Sequence, residues 1–380
     1  MKKLLATACA LLFLSGSLIL VGALPARAAD PVPVILTERP HMGLDGTFYD
    51  DQLATLLLPS QRLGQLVFTP SRINKVWYID AALLDQVAAM VDGYSVRVTG
   101  KSGELVSGTG MNVAMSWLSA LKQVTQMNPV LALPYGAPAT HWLEQLAPNE
   151  LHFYEANSQL KVGFYVGKYV DVTPSFPGEK TPRIPGETQD TYNFIRKNLK
   201  GYLKVVDIQD TNPYRLGIAQ LTNPALNYDD SIRLSRAFLN DFQVFNKRLR
   251  IVVGKYTITS EREKIPMTIV NGFNKDVTVS VVVSPLNGKV TVSPIRDVTI
   301  PAQSKLIVPI KLHIIASGNS TLFVQLKSAD GTSVGNSVSL PLRLSVISPI
   351  ATWITTISAI VLLIAGVVQS VRRVKKKKHE

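Results

Sequence analysis

The sequence predicts an α/β domain followed by an all-β immunoglobulin-like sandwich and one transmembrane helix. Short apolar segments alternate with amphipathic helical segments over residues 30–210, which is typical of βα units. From about residue 251 the apolar residues recur at every second position, as in half-buried strands. Residues 350–371 carry no charged side chain and are long enough to cross a bilayer.

Residues 1–29 have the pattern of a Sec-type signal peptide. Two lysines precede a long uncharged stretch, and small residues at the end of that stretch provide a cleavage site. We expect cleavage after Ala28 or Ala29. The alternative is an uncleaved N-terminal anchor, because the apolar stretch is long enough to span a membrane.

Residues 348–371 are predicted to form a transmembrane helix, and the basic residues of 372–380 follow it directly. Basic residues beside a membrane helix are retained on the cytoplasmic side, so we expect a cytoplasmic membrane protein with its N-terminus outside and its C-terminus inside. The tail is also expected to attract anionic lipids. Residues 340–344 lack the Thr-Gly pair of a cell-wall sorting motif, so the helix should remain as the anchor.

The charge and cysteine content exclude several classes of function. The formal net charge is +13, but the exported part carries only about +5 when the signal peptide and the tail are set aside. It has no basic run interleaved with aromatic residues, so nucleic acid is not an expected partner. The single cysteine, Cys9, lies in the signal peptide. Disulfides, thiolate metal sites and cysteine nucleophiles are therefore not expected in the exported part.

The α/β domain is assigned to residues 30–210 and is expected to consist of βα units arranged like a partial or degenerate barrel. The predicted strands cover residues 32–36, 75–80 and 129–134. The predicted helices cover residues 50–58, 60–68, 81–94 and 112–127, and another starts at Pro138. Residues 173–188 are rich in proline and are predicted to be a loop.

Two further helices are predicted over residues 191–203 and 229–248, and residues 211–249 are assigned to a helical connector. The sandwich is assigned to residues 250–347, where Val277, Val279, Val281 and Val283 share one strand face. Turn signals punctuate this part of the chain at Asn271-Gly272, Asn287-Gly288 and Asp330-Gly331. It lacks the cysteine pair of antibody domains.

Only three residues are candidates for chemistry. Asp80 ends a predicted strand, where α/β enzymes place catalytic carboxylates, but it is also a favourable N-cap for the helix that follows. We favour the cap because no second carboxylate occupies a matching strand end. His41 and His141 could join Asp80 in a metal site, but no HxxxH or HExxH spacing supports one. No catalytic residue, metal or cofactor is therefore predicted.

Several short motifs occur in the order found in a known family. They are ERPH at 38–41, RLG at 62–64, WYIDAALL at 77–84, GY at 93–94, WLSAL at 117–121, LPY at 133–135 and IPMTIVN at 265–271. In these motifs the chain resembles a family of actinobacterial single-pass envelope proteins of unknown function. They are often labelled glycoproteins and are commonly encoded beside the lipid II flippase.

The resemblance implies an N-terminal domain similar to a divergent barrel related to sugar-active enzymes. The family's LPY segment typically continues with acidic residues, whereas here residues 136–139 carry no carboxylate. We therefore expect a non-catalytic, membrane-anchored envelope protein that acts through protein or glycan partners in cell-wall assembly. The flippase is a candidate partner by the same resemblance. The alternative is an envelope glycan hydrolase or deacetylase with a degenerate barrel.

Overall fold

The computed structural model describes residues 31–70, 73–98, 103–345 and 349–376. The predicted signal peptide lies outside the described residues, as do residues 377–380 of the predicted tail. An N-terminal region of helices around a small sheet leads into an all-β domain, and a long helix ends the described part of the chain.

The N-terminal region contains six short strands and nine α-helices among the described residues. The strands are β1 (Val32–Leu36), β2 (Lys75–Asp80), β3 (Ser95–Arg97), β4 (Leu105–Ser107), β5 (Val130–Leu133) and β6 (Asp171–Val172). The helices are α1 (Gln52–Leu56), α2 (Arg62–Phe68), α3 (Ala81–Val91), α4 (Met111–Thr125), α5 (Thr140–Leu146), α6 (Leu151–Val166), α7 (Gly186–Tyr202), α8 (Ile208–Gly217) and α9 (Tyr228–Asn246). Short 3₁₀ helices cover Pro148–Glu150 and Ile218–Thr222.

Strands β1, β2, β5 and β6 form one parallel sheet in that order. Parallel neighbours need a crossover, and helices supply most of it between consecutive strands, so the predicted βα units are present. Trp77 and Ile79 of β2 are fully buried beneath these helices. The predicted barrel is not confirmed. The described sheet has four strands and does not close into a barrel. Strands β3 and β4 lie outside it and pair with each other in an antiparallel hairpin.

The segment predicted as a connector, residues 211–249, packs against the N-terminal region. Asp241 of α9 accepts hydrogen bonds from the backbone N–H of Leu44 at 3.0 Å and from the Arg97 guanidinium at 2.8 Å. Asn223, just before α9, donates to the carbonyl of Gly136 at 2.9 Å. These residues therefore help to close the α/β core.

The C-terminal part of the chain forms the predicted all-β sandwich. Its strands are β7 (Leu249–Val252), β8 (Tyr256–Ile258), β9 (Arg262–Asn271), β10 (Val277–Pro285), β11 (Val290–Val292), β12 (Ile295–Ile300), β13 (Ser304–Ile314), β14 (Gly318–Lys327) and β15 (Ser333–Leu344). One sheet has the order β12-β10-β14-β15-β8 and the other β11-β13-β9-β7. Val277, Val279 and Val281 are at most 2% exposed, as their alternation predicts.

Helix α7 and strand β15 join the two regions. A Cβ atom added to Gly201 would lie 2.0 Å from the carbonyl oxygen of Ser333, so only glycine permits this approach. Beside it, the ring centroids of Tyr202 and Phe245 are 5.0 Å apart, and Phe245 lies 5.4 Å from Phe273 of the sandwich. These rings form a shared aromatic cluster between the helices and the sandwich.

Helix α10 (Pro349–Lys376) follows the sandwich. Its segment Trp353–Ser370 has a mean hydropathy of 1.9, and none of it is buried against the rest of the protein. This helix is long and apolar enough for a single-pass membrane anchor, and no other helix in the described residues is. It continues past the predicted end at residue 371 into the basic tail.

Candidate functional site at the carboxyl edge of the parallel sheet

The carboxyl ends of β1, β2 and β5 lie along one edge of the parallel sheet, where α/β proteins bind ligands. A cleft of about 440 Å³ opens at this edge beside the end of β1. Its lining combines charged, aromatic and small side chains: Ile35, Thr37, Glu38, Arg62, Phe176, Gly178, Lys180, Pro224 and Ala225. Asp80 is not among them.

The cleft has more positive than negative side chains. Glu38 forms an ion pair with Arg62, which also donates to the carbonyl of Thr37 at 3.1 Å. Lys180 is exposed and has no ion-pair partner within the described residues. Phe176 is half-buried beside these groups. One carboxylate thus faces two cations, so the cleft suits a polar ligand that carries hydroxyl or anionic groups.

Asp80 ends β2 and caps α3. Its Oδ1 atom accepts hydrogen bonds from the backbone N–H groups of Ala82 at 2.9 Å and Gly136 at 2.8 Å. The residue is 1% exposed. The predicted N-cap is confirmed. Burial raises the pKa of Asp80 to about 7, the two N–H groups oppose that rise, and the charge of Asp85 adds to it.

The turn after β5 is fixed by contacts on both sides. Gly136 has φ +81° and Ala137 has φ +42°, a region that L side chains rarely adopt. A Cβ atom on Gly136 would lie 2.8 Å from Cγ of Gln220, so this position requires glycine. Asn223 donates both to the carbonyl of Gly136 and to the hydroxyl of Thr37 in the cleft, which connects the turn to the cleft wall.

A second polar cluster surrounds Asp85 on α3. Its carboxylate accepts hydrogen bonds from Tyr135 at 2.8 Å and Tyr165 at 3.0 Å, and Lys161 lies 2.9 Å away. Burial raises the pKa of Tyr135, and the charge of Asp85 raises it further. In the sequence, the tyrosine of the LPY motif is the only local signal of this cluster, and it did not predict the contacts with α3 and α6. Because three donors bind this carboxylate, its role is structural: it connects α3 to α6 and to the turn after β5.

The two histidines lie in different surroundings. His41 is fully buried, and its Nδ1 atom lies 2.7 Å from Oδ1 of Asp50. Burial would raise the pKa of Asp50, but the contact with His41 holds it near 2. His141 is exposed, and its ring packs edge-on against Trp142. The described residues contain no group of three or more His, Cys, Asp or Glu side chains placed to hold a metal ion. The metal site considered from the sequence is therefore not assembled there.

Residues 248–378 match a model described as a family of unknown function, DUF6049. The match covers the sandwich and α10 and agrees with the expectation of an uncharacterised family. No curated protein matches the chain.

Solved structures similar to this chain match about a quarter of it. WR4, an MSP family member of C. elegans, is 12% identical over 26% of this chain and 97% of its own, with a TM-score of 0.21. The ASH/PapD-like domain 7 of human CEP192 is 14% identical over 26% of this chain and 85% of its own, with a TM-score of 0.21. The E. coli chaperone DraB is 12% identical over 25% of this chain and 53% of its own, with a TM-score of 0.19. Likenesses this distant carry no information about function.

Proposed function

We propose that this chain is a non-catalytic, membrane-anchored envelope protein that acts through a protein or glycan partner. The state of Asp80 carries the proposal. It occupies the strand end at which α/β enzymes place a catalytic carboxylate, yet it is 1% exposed and bound to two backbone N–H groups. A carboxylate held in this way stabilises the helix start and the turn, and it does not face the cleft.

The apolar helix supports the anchoring. Residues Trp353–Ser370 lie against no other part of the chain, which in water would leave a large apolar surface exposed. The basic residues after the helix, Arg372, Arg373 and four lysines, support a cytoplasmic C-terminus, because such residues are retained on that side of the membrane. In this orientation the sandwich and the α/β domain lie outside the cytoplasmic membrane.

The cleft at the carboxyl edge is the proposed partner site. The exposed ammonium group of Lys180 and the half-buried ring of Phe176 suit a sugar chain with anionic substituents or an acidic protein segment. The resemblance to actinobacterial envelope proteins points to cell-wall assembly, with the lipid II flippase as the first partner to test.

A hydrolase or deacetylase of envelope glycans is the alternative. One observation favours it: a carboxyl group with a pKa of about 7 can act as an acid or a base at neutral pH. Glycoside hydrolysis needs a second carboxylate across the substrate. Asp85 is the carboxylate whose charge raises the pKa of Asp80, and three donors already bind it.

Complementation of a deletion strain separates the two functions. We expect Asp80→Asn to complement, because an amide oxygen keeps the cap, and we expect a chain that ends at Ser345 to fail, because it lacks the anchor. Immunoblots should show equal amounts of both proteins. An Asp80→Asn protein that is stable but inactive, together with an active truncated chain, would overturn the proposal in favour of an enzyme.

Photo-crosslinking in intact cells tests the cleft. A benzoylphenylalanine in place of Phe176 should give a defined adduct to an envelope protein or glycan. The same substitution at Phe164, which is 79% exposed on α6, is the matched control and should give none. Identical adducts from both positions would exclude the cleft as the partner site.

A further inference from the structure

Four basic side chains form a patch on the outer face of the sandwich. Arg262 and Lys264 lie on β9, and Lys311 and His313 lie on β13, all of them exposed. The strands are antiparallel, and the register places Lys264 directly opposite Lys311 and Arg262 directly opposite His313. We call these four residues the basic patch.

Like charges directly opposite each other across a sheet destabilise it, and Lys264 and Lys311 form such a pair. Glu261 lies 3.8 Å from His313, and both side chains are about half exposed. Neither lysine of the patch has an ion-pair partner among the residues that the structure describes. An anion bound between the strands would relieve this repulsion.

The patch borders a cavity of about 710 Å³ that is open to solvent. Two hydroxyl side chains of β11 and the residue after it, Thr291 and Ser293, line the cavity beside the cations. One half-buried carboxylate, Glu263, also lines it and is outnumbered by the basic side chains. Ammonium, guanidinium and hydroxyl groups are the donors that bind phosphate oxygens in proteins. The cavity therefore has the chemistry of a phosphate site.

The patch lies near the end of the sandwich from which the chain continues into α10. At this end the N–H of Ser345 donates to the carbonyl of Ile258 at 2.8 Å, and the N–H of Ile314 donates to the carbonyl of Glu261 at 2.8 Å. Pro349 begins α10 four positions after Ser345, and an extended chain covers about 3.5 Å per residue. This end of the sandwich therefore lies within about 15 Å of the helix start. Ile315, also at this end, is 61% exposed.

We propose that the basic patch binds the phosphate headgroups of anionic lipids in the bilayer that holds α10. The inference rests on the proposed membrane anchoring. Binding at Lys264 and Lys311 would bring one face of the sandwich down onto the membrane surface and fix its orientation there. Each lysine near an anionic surface should strengthen this docking about fivefold.

Fluorescence quenching of the full chain in vesicles tests the proposal. A fluorophore is attached at Ala316→Cys in a Cys9→Ser background, and the vesicles contain lipids with a spin-labelled headgroup. Quenching should be stronger in phosphatidylcholine mixed with phosphatidylglycerol than in phosphatidylcholine alone. Lys264→Gln combined with Lys311→Gln should shift the docking equilibrium about 25-fold.

Lys305→Gln is the matched control, because Lys305 is exposed on the same strand at its far end. It should leave the quenching unchanged. The double variant should unfold no earlier than the parent in a thermal melt, since it removes a like-charge pair. Equal quenching in both vesicles, or undiminished quenching in the double variant, would overturn the proposal. Failure of the parent chain to float with vesicles would instead overturn the anchoring and the docking together.

Discussion

A hydrogen bond of 2.8 Å joins the backbone N–H of Gly136 to the carboxylate of Asp80, and it ties the end of β2 to the turn after β5. The same carboxylate oxygen starts α3 by accepting from Ala82. A single buried side chain therefore fixes a helix start and a strained turn at the edge that carries the cleft.

Asp80 variants should differ in stability according to whether they keep an acceptor. Asp80→Asn should retain most of the free energy of unfolding, because the amide oxygen can accept both N–H groups. Asp80→Ala should lose about 2 to 4 kcal/mol, since it removes a cap and leaves the buried N–H of Gly136 unpaired. Urea denaturation measures both changes. Equal losses in the two variants would show that the hydrogen bonds contribute little.

The pH dependence of stability should carry a contribution from Asp80. Its pKa is about 7 in the folded protein and about 3.9 in an unfolded chain, so the folded state binds the extra proton between these values. The resulting stability is fully present below about pH 4 and is lost as the pH rises to about 7, by at most about 1.4 kcal/mol per pH unit.

Asp80→Asn is the control for this measurement, because it cannot titrate. The difference in unfolding free energy between parent and variant should change across the window from about pH 4 to 7 and stay constant above it. Asp50, whose pKa is about 2 in the folded protein, changes the stability in the opposite direction. Its contribution is present above about pH 4 and is lost as the pH falls below that value. A constant difference throughout would mean that Asp80 stays ionised in the folded protein.

The contact between α7 and β15 should be sensitive to one methyl group. Gly201→Ala would place a Cβ atom 2.0 Å from the backbone of Ser333, so the helix must move away from the strand and stability should fall by about 1 to 3 kcal/mol. Gly186→Ala on the same helix meets no atom within 4 Å and should be neutral or stabilising. Thermal melts compare the two, and similar melting temperatures would show that the interface tolerates separation.

Protease accessibility should report the topology. Protease added to intact spheroplasts should digest the α/β domain and the sandwich, while a tag placed after Glu380 should stay protected by the membrane. Lysed cells provide the control in which the tag is also removed. Removal of the tag in intact spheroplasts would reverse the orientation.

Local patterns in the sequence were sufficient for several elements. The predicted bounds of β1 (Val32–Leu36) and β2 (Lys75–Asp80) match the structure, because breaker residues or a strong helix start limit these apolar runs. The cap at Asp80 was also predictable, since it depends on a residue two positions further on. The sandwich followed from its alternating valines.

Other features depend on contacts between distant segments. Helix α6 was not predicted, because its apolar residues lie on all of its faces and so show no helical periodicity. Tyr154 is fully buried, whereas Leu160 is 75% exposed and Phe164 is 79% exposed. The bond between Asp80 and Gly136 joins residues far apart in the chain. The opposition of two lysines in the basic patch appears only once the register of β9 and β13 is known.

The close approach of Gly201 to Ser333 also has a mechanical consequence. With a helix backbone seated directly on a strand and an aromatic cluster beside it, no flexible hinge separates the two regions at this contact. A force applied to the sandwich would therefore pass directly into the α/β domain at this contact. The cleft in the α/β domain and the basic patch on the sandwich therefore keep a fixed position relative to each other.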